Sequence, residues 1–133
     1  MHRKILLWGI CFALVAVLLG AFGAHGLKSI LSPEKLQSYE TGVRYQLIHA
    51  LALIALSIYC QLNEAAHGTI KGIRWAANFF IVGCCLFSGS IYGLSLLSIT
   101  QSSWAVLLGP ITPIGGSITI ISWIIFLYRL IKN

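Results

Sequence analysis

Segment 39–53 is where polar and charged side chains meet an apolar run of this sequence. Tyr45, Gln46 and His49 are carried there into an apolar run that continues through Tyr59. They share a helical face with Gly42 and Leu53. Polar groups among apolar residues need hydrogen-bond partners. We therefore expect this face to turn toward other helices.

Histidine is the commonest metal ligand in proteins, so His25 and His49 are candidate ligands to a metal ion or haem. No acid or thiol joins either of them on a helical face, and the cysteines show no Cys-x-x-Cys spacing. Adjacent Cys84 and Cys85 point to different sides of a helix. We predict no metal site and no cofactor, and interpret both histidines as hydrogen-bonded packing residues.

Ser88, Ser90 and Tyr92 raise the alternative of nucleophilic catalysis. A serine nucleophile needs a base that an acid orients. The three acids of the chain lie in polar segments rather than in the apolar runs. We predict that the protein is not an enzyme and has no catalytic residue.

Segment 109–116, Gly-Pro-Ile-Thr-Pro-Ile-Gly-Gly, has two alternative interpretations. Its backbone amides, with Thr112, could bind an anion at the start of a helix, or it forms a tight turn where two helices meet. We favour the turn. Two prolines and three glycines predict irregular backbone. This backbone either forms a re-entrant element within the membrane or lies at the membrane surface. We favour the membrane surface, with a helix that starts near Pro113.

Composition indicates an integral membrane protein. The 133 residues form a single domain that is 58% hydrophobic and 9% charged, with mean hydropathy +0.89, whereas soluble domains carry about 25% charged residues. The net charge of +6 comes from scattered cations near the ends of apolar runs. Nucleic-acid binding needs such charges in one patch, so we predict no nucleic-acid partner.

Four apolar runs predict an all-α, four-span transmembrane bundle. The predicted spans cover residues of about 5–24, 43–60, 73–99 and 113–130, with a polar loop at 61–72. The first run follows basic residues as a signal peptide does, but at about 20 residues it is long enough to span, and we expect it to be retained.

An amphipathic helix is predicted between the first two spans. Ser32, Pro33 and Glu34 are typical of a helix start. The segment from Glu34 to Thr41 is too polar to span, so we expect it to lie along the membrane surface and to bend into the second span at Gly42.

Small residues predict where helices approach closely. On the first span they form one face, which consists of Gly9, Ala13, Ala16 and Gly20. On the third span they form the pair Gly89 and Gly93.

Charge distribution predicts the orientation of the spans. Six Lys and Arg residues lie near the side of the two termini and three near the other side. The positive-inside rule then predicts both termini in the cytoplasm, in a bacterial cytoplasmic membrane. By alternation of the spans, the polar residues collect toward the outer face, where we expect a binding cluster of His25, Tyr45, Gln46, His49, Tyr92 and Thr112.

The chain resembles the family called domain of unknown function 423. The resemblance rests on segments 20–27 (Gly-Ala-Phe-Gly-Ala-His-Gly-Leu), 39–53, 86–92 (Leu-Phe-Ser-Gly-Ser-Ile-Tyr) and 109–116, which follow in the order of the family. It implies a compact four-helix membrane protein and no particular activity.

Two functions remain open at this point. We favour a non-enzymatic accessory or scaffold subunit that packs against another membrane protein or a second copy of itself, or that binds membrane lipid. The alternative is a small transporter or channel for a solute, which needs a polar path across the full membrane.

Overall fold

All the regular secondary structure in the described residues is helical. The computed structural model describes residues 2–67, 71–100 and 103–132, and the side chains of these other than 64–67 and 71. The elements are α1 (His2–Phe22), continued by a π-helix (Gly23–Leu27), then α2 (Pro33–His67), α3 (Lys71–Leu97), α4 (Ala105–Leu108) and α5 (Ile111–Lys132). No strand occurs in these ranges, which confirms the all-α prediction.

Within the described residues, four helical stretches are long and apolar enough to cross a membrane: His2–Leu27, Pro33–Asn63, Gly72–Leu97 and Ala105–Lys132. The predicted four-span architecture is thus confirmed, although each span extends beyond its predicted limits at one or both ends. Helix α1 packs mainly on α2, α5 packs mainly on α3, and α2 packs on α3. The two central helices therefore carry the interface in which polar side chains are buried.

Helix α2 begins as the sequence predicts but contains no break. The Ser32 hydroxyl accepts a hydrogen bond from the backbone N–H of Lys35 at 3.4 Å, and Pro33 occupies the first turn, where its missing N–H costs nothing. The helix then runs unbroken to His67, so the amphipathic segment is its first two turns rather than a separate element. Its position along the membrane surface stays a prediction.

Gly42 allows helix α2 to pack closely against α3. A Cβ at this position would lie 2.9 Å from Cε1 of Tyr92 and 3.1 Å from Cγ2 of Ile91. The glycine therefore lets α3 approach the backbone of α2. The bend expected at this residue stays a prediction, and close packing is a sufficient reason for the glycine.

The predicted loop at 61–72 is wrong at both ends. Helix α2 continues to His67 and α3 begins at Lys71, while 68–70 lie outside the described residues. The polar Asn63 lies within the helix, and its side-chain amide donates to the carbonyl oxygen of Tyr59 at 2.9 Å. Polarity alone is thus a poor sign of a helix end near a membrane surface.

The irregular backbone expected over 109–116 is confined to Gly109 and Pro110. Helix α5 starts at Ile111, and Pro113 lies in its first turn, where the backbone N–H has no helical partner anyway. Gly115 lies within helix α5, on the side that faces α3. A Cβ there would lie 2.8 Å from the Cα of Phe87, so this glycine permits contact between the two backbones.

Other small residues are placed partly as predicted. Gly9 and Ala16 are buried, and a Cβ at Gly9 would lie 3.0 Å from the carbonyl oxygen of Ala50 on α2. Ala13 and Gly20 are half-buried on α1. Gly93 packs against Leu108 of α4, but Gly89 faces outward with no atom within 4 Å of its added Cβ.

Two apolar clusters lie at opposite ends of the polar interface. One joins all four spans around Leu53, Leu56, Ile73 and Phe80. The other is formed by Leu27, Leu31 and Tyr39 where the first two spans meet. Between them α2 and α3 present their polar side chains to one another.

Candidate functional site

Gln46 connects three helices. It is 5% exposed, and its side-chain nitrogen Nε2 donates to the carbonyl oxygen of Phe12 on α1 at 2.9 Å. Its Oε1 accepts a hydrogen bond from the hydroxyl of Tyr92 on α3 at 2.8 Å. A glutamine amide offers both a donor and an acceptor, and here each group binds a different neighbouring helix.

Two further hydroxyls connect the same helices. The Tyr39 hydroxyl donates to the carbonyl oxygen of Leu19 at 2.9 Å, and its ring centroid lies 5.1 Å from that of Tyr92. Buried Ser88 donates to the carbonyl oxygen of Gly42 at 2.9 Å. Together Tyr39, Gln46, Ser88 and Tyr92 form what we call the α2–α3 polar network. Ser88 therefore links α3 to α2, and its hydroxyl hydrogen is already engaged in a hydrogen bond.

His49 lies deeper along α2 in an aromatic environment. It is 4% exposed, and its Nδ1 lies 2.7 Å from the carbonyl oxygen of Tyr45 one turn earlier. Its ring centroid is 5.7 Å from that of Phe80 and 6.5 Å from that of Trp123. The histidine thus binds its own helix and packs against α3 and α5.

Tyr45 does not face the interior. Its side chain is 43% exposed, and its ring lies 5.3 Å from that of Phe87 between centroids. The other members of the predicted polar face, Gly42, Gln46, His49 and Leu53, are all buried. The inward face of α2 is therefore narrower than the sequence pattern indicated.

Thr112 belongs to a separate location. Its hydroxyl lies 2.7 Å from that of Ser90, and it borders a cavity of about 250 Å³ at the end of the bundle where α2 begins. The cavity is lined mainly by hydroxyl-bearing and aliphatic residues, namely Lys35, Ser38, Thr41, Ile91, Leu94, Ser95 and Thr112.

His25 is apart from the other predicted site residues. It is exposed in the π-helix, with Nδ1 3.0 Å from the carbonyl oxygen of Ala21 on its own helix. The six residues predicted to cluster therefore divide between the Gln46–Tyr92 hydrogen bond, the environment of His49, the Ser90–Thr112 pair and an isolated His25. They do not line one common pocket.

Tyr39 and Ser88 are the network members that the predicted site omitted. Tyr39 opens the segment in which Gln46 and His49 lie, but a tyrosine at a membrane surface is common enough to carry little signal. The sequence raised Ser88 as a nucleophile and disfavoured that role. A serine in a membrane helix bonds more commonly to a carbonyl, and that general tendency was the available signal.

The site's chemistry is that of hydrogen bonding between helices. Among the side chains described, no three His, Cys, Asp or Glu residues lie together in a group able to hold a metal ion. The described carboxylates, those of Glu34 and Glu40, are exposed. Every buried polar side-chain atom in this part of the protein has a hydrogen-bond partner. These features define a small four-span membrane protein in which several interior polar groups hydrogen-bond to a neighbouring helix.

Comparison with known proteins identifies the family. The model of a protein family of unknown function, DUF423, matches residues 19–116. The chain is 40% identical to the UPF0382 membrane protein YwdK of Bacillus subtilis over 98% of both chains. It is 40% identical to a UPF0382 membrane protein of Schizosaccharomyces pombe over 83% of this chain and 86% of that one. The protein belongs to the DUF423 family, as the sequence resemblance predicted.

A third relative, a UPF0382 membrane protein of Haemophilus influenzae, is 35% identical over 88% of this chain and 85% of its own. No solved structure matches the chain.

Proposed function

We propose that this protein is a non-enzymatic accessory or scaffold subunit that packs against another membrane protein through the outer face of α3. The interior supports a structural use of its polar groups. Gln46, Ser88 and Tyr92 all hydrogen-bond to neighbouring helices, and the described buried polar side chains are satisfied. The proposal therefore places the function on the outer surface.

The observation that carries this proposal is a row of exposed residues along α3, which we call the α3 stripe. Asn78, Val82, Cys85, Gly89 and Leu96 are all exposed, at successive separations of four, three, four and seven residues. This spacing keeps residues on one side of a helix that packs against a second helix with a left-handed crossing. The α3 stripe thus has the pattern of a helix-packing surface.

Residue size at the centre of the α3 stripe supports close approach of a partner helix. Gly89 has no atom within 4 Å of an added Cβ, and exposed Cys85 lies one turn before it. Small residues permit the close backbone contact on which helix association in membranes depends. The outer face of α1 is different, since it exposes large aliphatic side chains such as Leu14 and Leu18, which suit contact with lipid tails.

The proposed location is the bacterial cytoplasmic membrane with both termini in the cytoplasm. Lys4 and Arg74, near the starts of α1 and α3, and Arg129, near the end of α5, lie toward the same end of the bundle. This arrangement supports the positive-inside assignment. The π-helix and α4 would then face the outer side.

Photo-crosslinking in native membranes tests the packing surface. A photoreactive amino acid is introduced at Val82 on the α3 stripe, with Leu14 on α1 and Ile124 on α5 as controls. The three positions are 48%, 60% and 59% exposed, so access to reagents is similar. We expect a discrete protein product from Val82 and lipid adducts from the two controls.

The mass of that product identifies the partner class. A product of twice the mass of the chain means that a second copy occupies the α3 stripe, and any other discrete mass means a different protein. Lipid adducts alone at all three positions would contradict the proposal.

A further inference from the structure

The cavity of about 250 Å³ that Thr112 borders is walled by three helices, α2, α3 and α5. Four hydroxyl-bearing residues line it, and we call it the hydroxyl pocket after them: Ser38, Thr41, Ser95 and Thr112. Ser38 is exposed and Ser95 is buried, so the pocket reaches from the surface into the interface between α2 and α3. Its volume suits a ligand smaller than a drug molecule, since sites for drug-sized ligands measure about 300–1,000 Å³.

The two hydroxyls of the pocket that lie on α2 have already used their hydrogens. Ser38 donates to the carbonyl oxygen of Glu34 at 3.0 Å. Thr41 donates to the carbonyl oxygen of Gln37 at 2.9 Å. A hydroxyl group has one hydrogen to donate and two lone pairs that accept. Each of these oxygens therefore offers a ligand a lone pair rather than a hydrogen.

The hydroxyls of Ser95 and Thr112 are engaged in the same way. Ser95 donates to the carbonyl oxygen of Lys35 at 3.4 Å. Ser90 donates its hydrogen to the carbonyl oxygen of Phe87 at 2.9 Å. Thr112 is then the donor in the 2.7 Å contact between the hydroxyls of Ser90 and Thr112. The hydroxyl pocket thus presents acceptor oxygens from three helices.

Lys35 adds hydrogen-bond donors to this set of acceptors. Its ammonium group has three hydrogens and no acceptor, and it lines the pocket from the first turn of α2. This role requires those hydrogens and not a net positive charge at the site, since the exposed Glu34 precedes Lys35 in the chain. Ile91 and Leu94 of α3 add apolar surface to the lining. A matching ligand therefore both donates and accepts, and it carries some apolar surface of its own.

We propose that the hydroxyl pocket binds a polyol group, of the kind that sugars and the headgroups of glycolipids carry. Each hydroxyl of a polyol can donate to an oxygen of the pocket and accept from Lys35, and its C–H groups pack on Ile91 and Leu94. A phosphate group offers acceptors to oxygens that are themselves acceptors, and an amine brings a second cation beside Lys35. The pocket shares no residue with the α3 stripe, so either proposal can fail without the other.

Native mass spectrometry of the purified full-length protein tests this site. The protein is kept in a polyoxyethylene detergent, because sugar detergents carry the proposed ligand group. Glucosyl diacylglycerol is titrated against two lipids of the same chains without a sugar, diacylglycerol and phosphatidic acid. We expect glucosyl diacylglycerol to bind about tenfold more tightly than either, which corresponds to one or two hydrogen bonds.

Methyl glucoside, added as a soluble competitor, identifies the source of the polyol. Displacement of glucosyl diacylglycerol by methyl glucoside means that the pocket accepts a free sugar. Retention of the lipid at saturating methyl glucoside means that the pocket needs a polyol joined to a lipid. Both results support a polyol site, provided that the lipid with the sugar binds more tightly than the two lipids without it.

A matched pair of double variants locates the site. Ser38→Ala with Thr41→Val removes two acceptor oxygens of the pocket and should weaken binding of glucosyl diacylglycerol about tenfold. Thr100→Val with Ser117→Ala removes two hydroxyls outside the pocket that also donate to nearby carbonyl oxygens, at 3.2 and 2.9 Å. This second variant should change binding less than about twofold, and thermal unfolding checks that both variants are folded.

Lys35→Met tests the donor separately and does not depend on the folding of the double variants, because the side chain is exposed. It should weaken binding of glucosyl diacylglycerol about fivefold and leave binding of diacylglycerol unchanged. Equal binding of glucosyl diacylglycerol and diacylglycerol, tighter binding of phosphatidic acid, or equal weakening by the two double variants would each overturn the proposal.

Discussion

Removing the hydroxyl of Tyr92 tests whether the α2–α3 polar network stabilises the fold. Tyr92→Phe breaks the 2.8 Å hydrogen bond to Gln46 and leaves Oε1 of that residue without its partner. Hydrogen bonds between membrane helices contribute about 0.6 kcal/mol on average and up to about 1.7. Because Gln46 is 5% exposed, water cannot readily replace the lost bond. We expect the free energy of unfolding to fall by about 1–2 kcal/mol.

A double-mutant cycle isolates this bond from other effects. Gln46→Leu loses the bonds to both Phe12 and Tyr92 and should cost about 2–3 kcal/mol. The double variant Gln46→Leu with Tyr92→Phe should cost less than the sum of the single variants by about 1 kcal/mol, since neither orphaned partner remains. Reversible unfolding in mild detergent provides the four free energies.

Tyr45→Phe is the matched control for this cycle. It removes the same hydroxyl from α2, but from a half-exposed ring for which the described part of the chain supplies no hydroxyl partner. The change should stay within about 0.5 kcal/mol. A coupling energy near zero, or a cost for Tyr45→Phe equal to that of Tyr92→Phe, would refute the structural role of the network.

The other predictions concern packing, the buried histidine, topology and transport. Gly115→Ala should destabilise the fold by about 1–3 kcal/mol, because its Cβ would lie 2.8 Å from a backbone atom of α3. Gly89→Ala, in open space, should be neutral or stabilise by up to about 1 kcal/mol, and thermal unfolding of both variants checks the contrast. His49→Leu should fold and complement a deletion strain fully, since the histidine bonds its own helix; a folded variant that fails to complement would return His49 to the list of functional residues. Reporters fused after Gln61 and at the C-terminus should report the same side of the membrane, and opposite sides would contradict the four-span topology. Liposomes containing the purified protein should show no solute flux above that of empty liposomes, whereas a saturable, substrate-dependent flux would favour the transporter alternative.

The number of membrane-spanning helices could be predicted because each span depends on the composition of its own segment. Long apolar runs predict spans whatever their neighbours are. Ends of helices were predicted less well, since segment 61–67 contains four polar residues but remains helical in α2. A helix that emerges from the membrane continues for as long as its residues favour helix, and polarity does not stop it.

Interhelical contacts could be predicted only in part, because spacing along one helix does not say which side faces a neighbour. Gly89 and Gly93 are four residues apart and therefore lie about 40° apart around the helix axis. That offset separates Gly93, which contacts Leu108, from Gly89, which faces outward. The facing direction depends on the position of α4 and α5, which no local pattern on α3 contains.

The candidate site shows the same limit. Gln46 stood out as an amide in an apolar run, and its burial followed from the cost of exposing it to lipid. Its partners depend on the relative heights of three helices. His25 and Thr112 were grouped with it because they lie toward the same membrane face, but sharing a face does not bring side chains within hydrogen-bond distance.

The central functional claim, that α3 packs against a partner through its outer stripe, is tested most directly by changing Gly89 and measuring crosslinking from Val82 in native membranes. Gly89→Leu places a bulky side chain in the centre of the α3 stripe but meets no atom of the chain itself within 4 Å at Cβ, so the fold should be retained. We predict that the discrete product from Val82 disappears in Gly89→Leu and largely persists in Gly89→Ala. An undiminished product in a folded Gly89→Leu protein would contradict the claim.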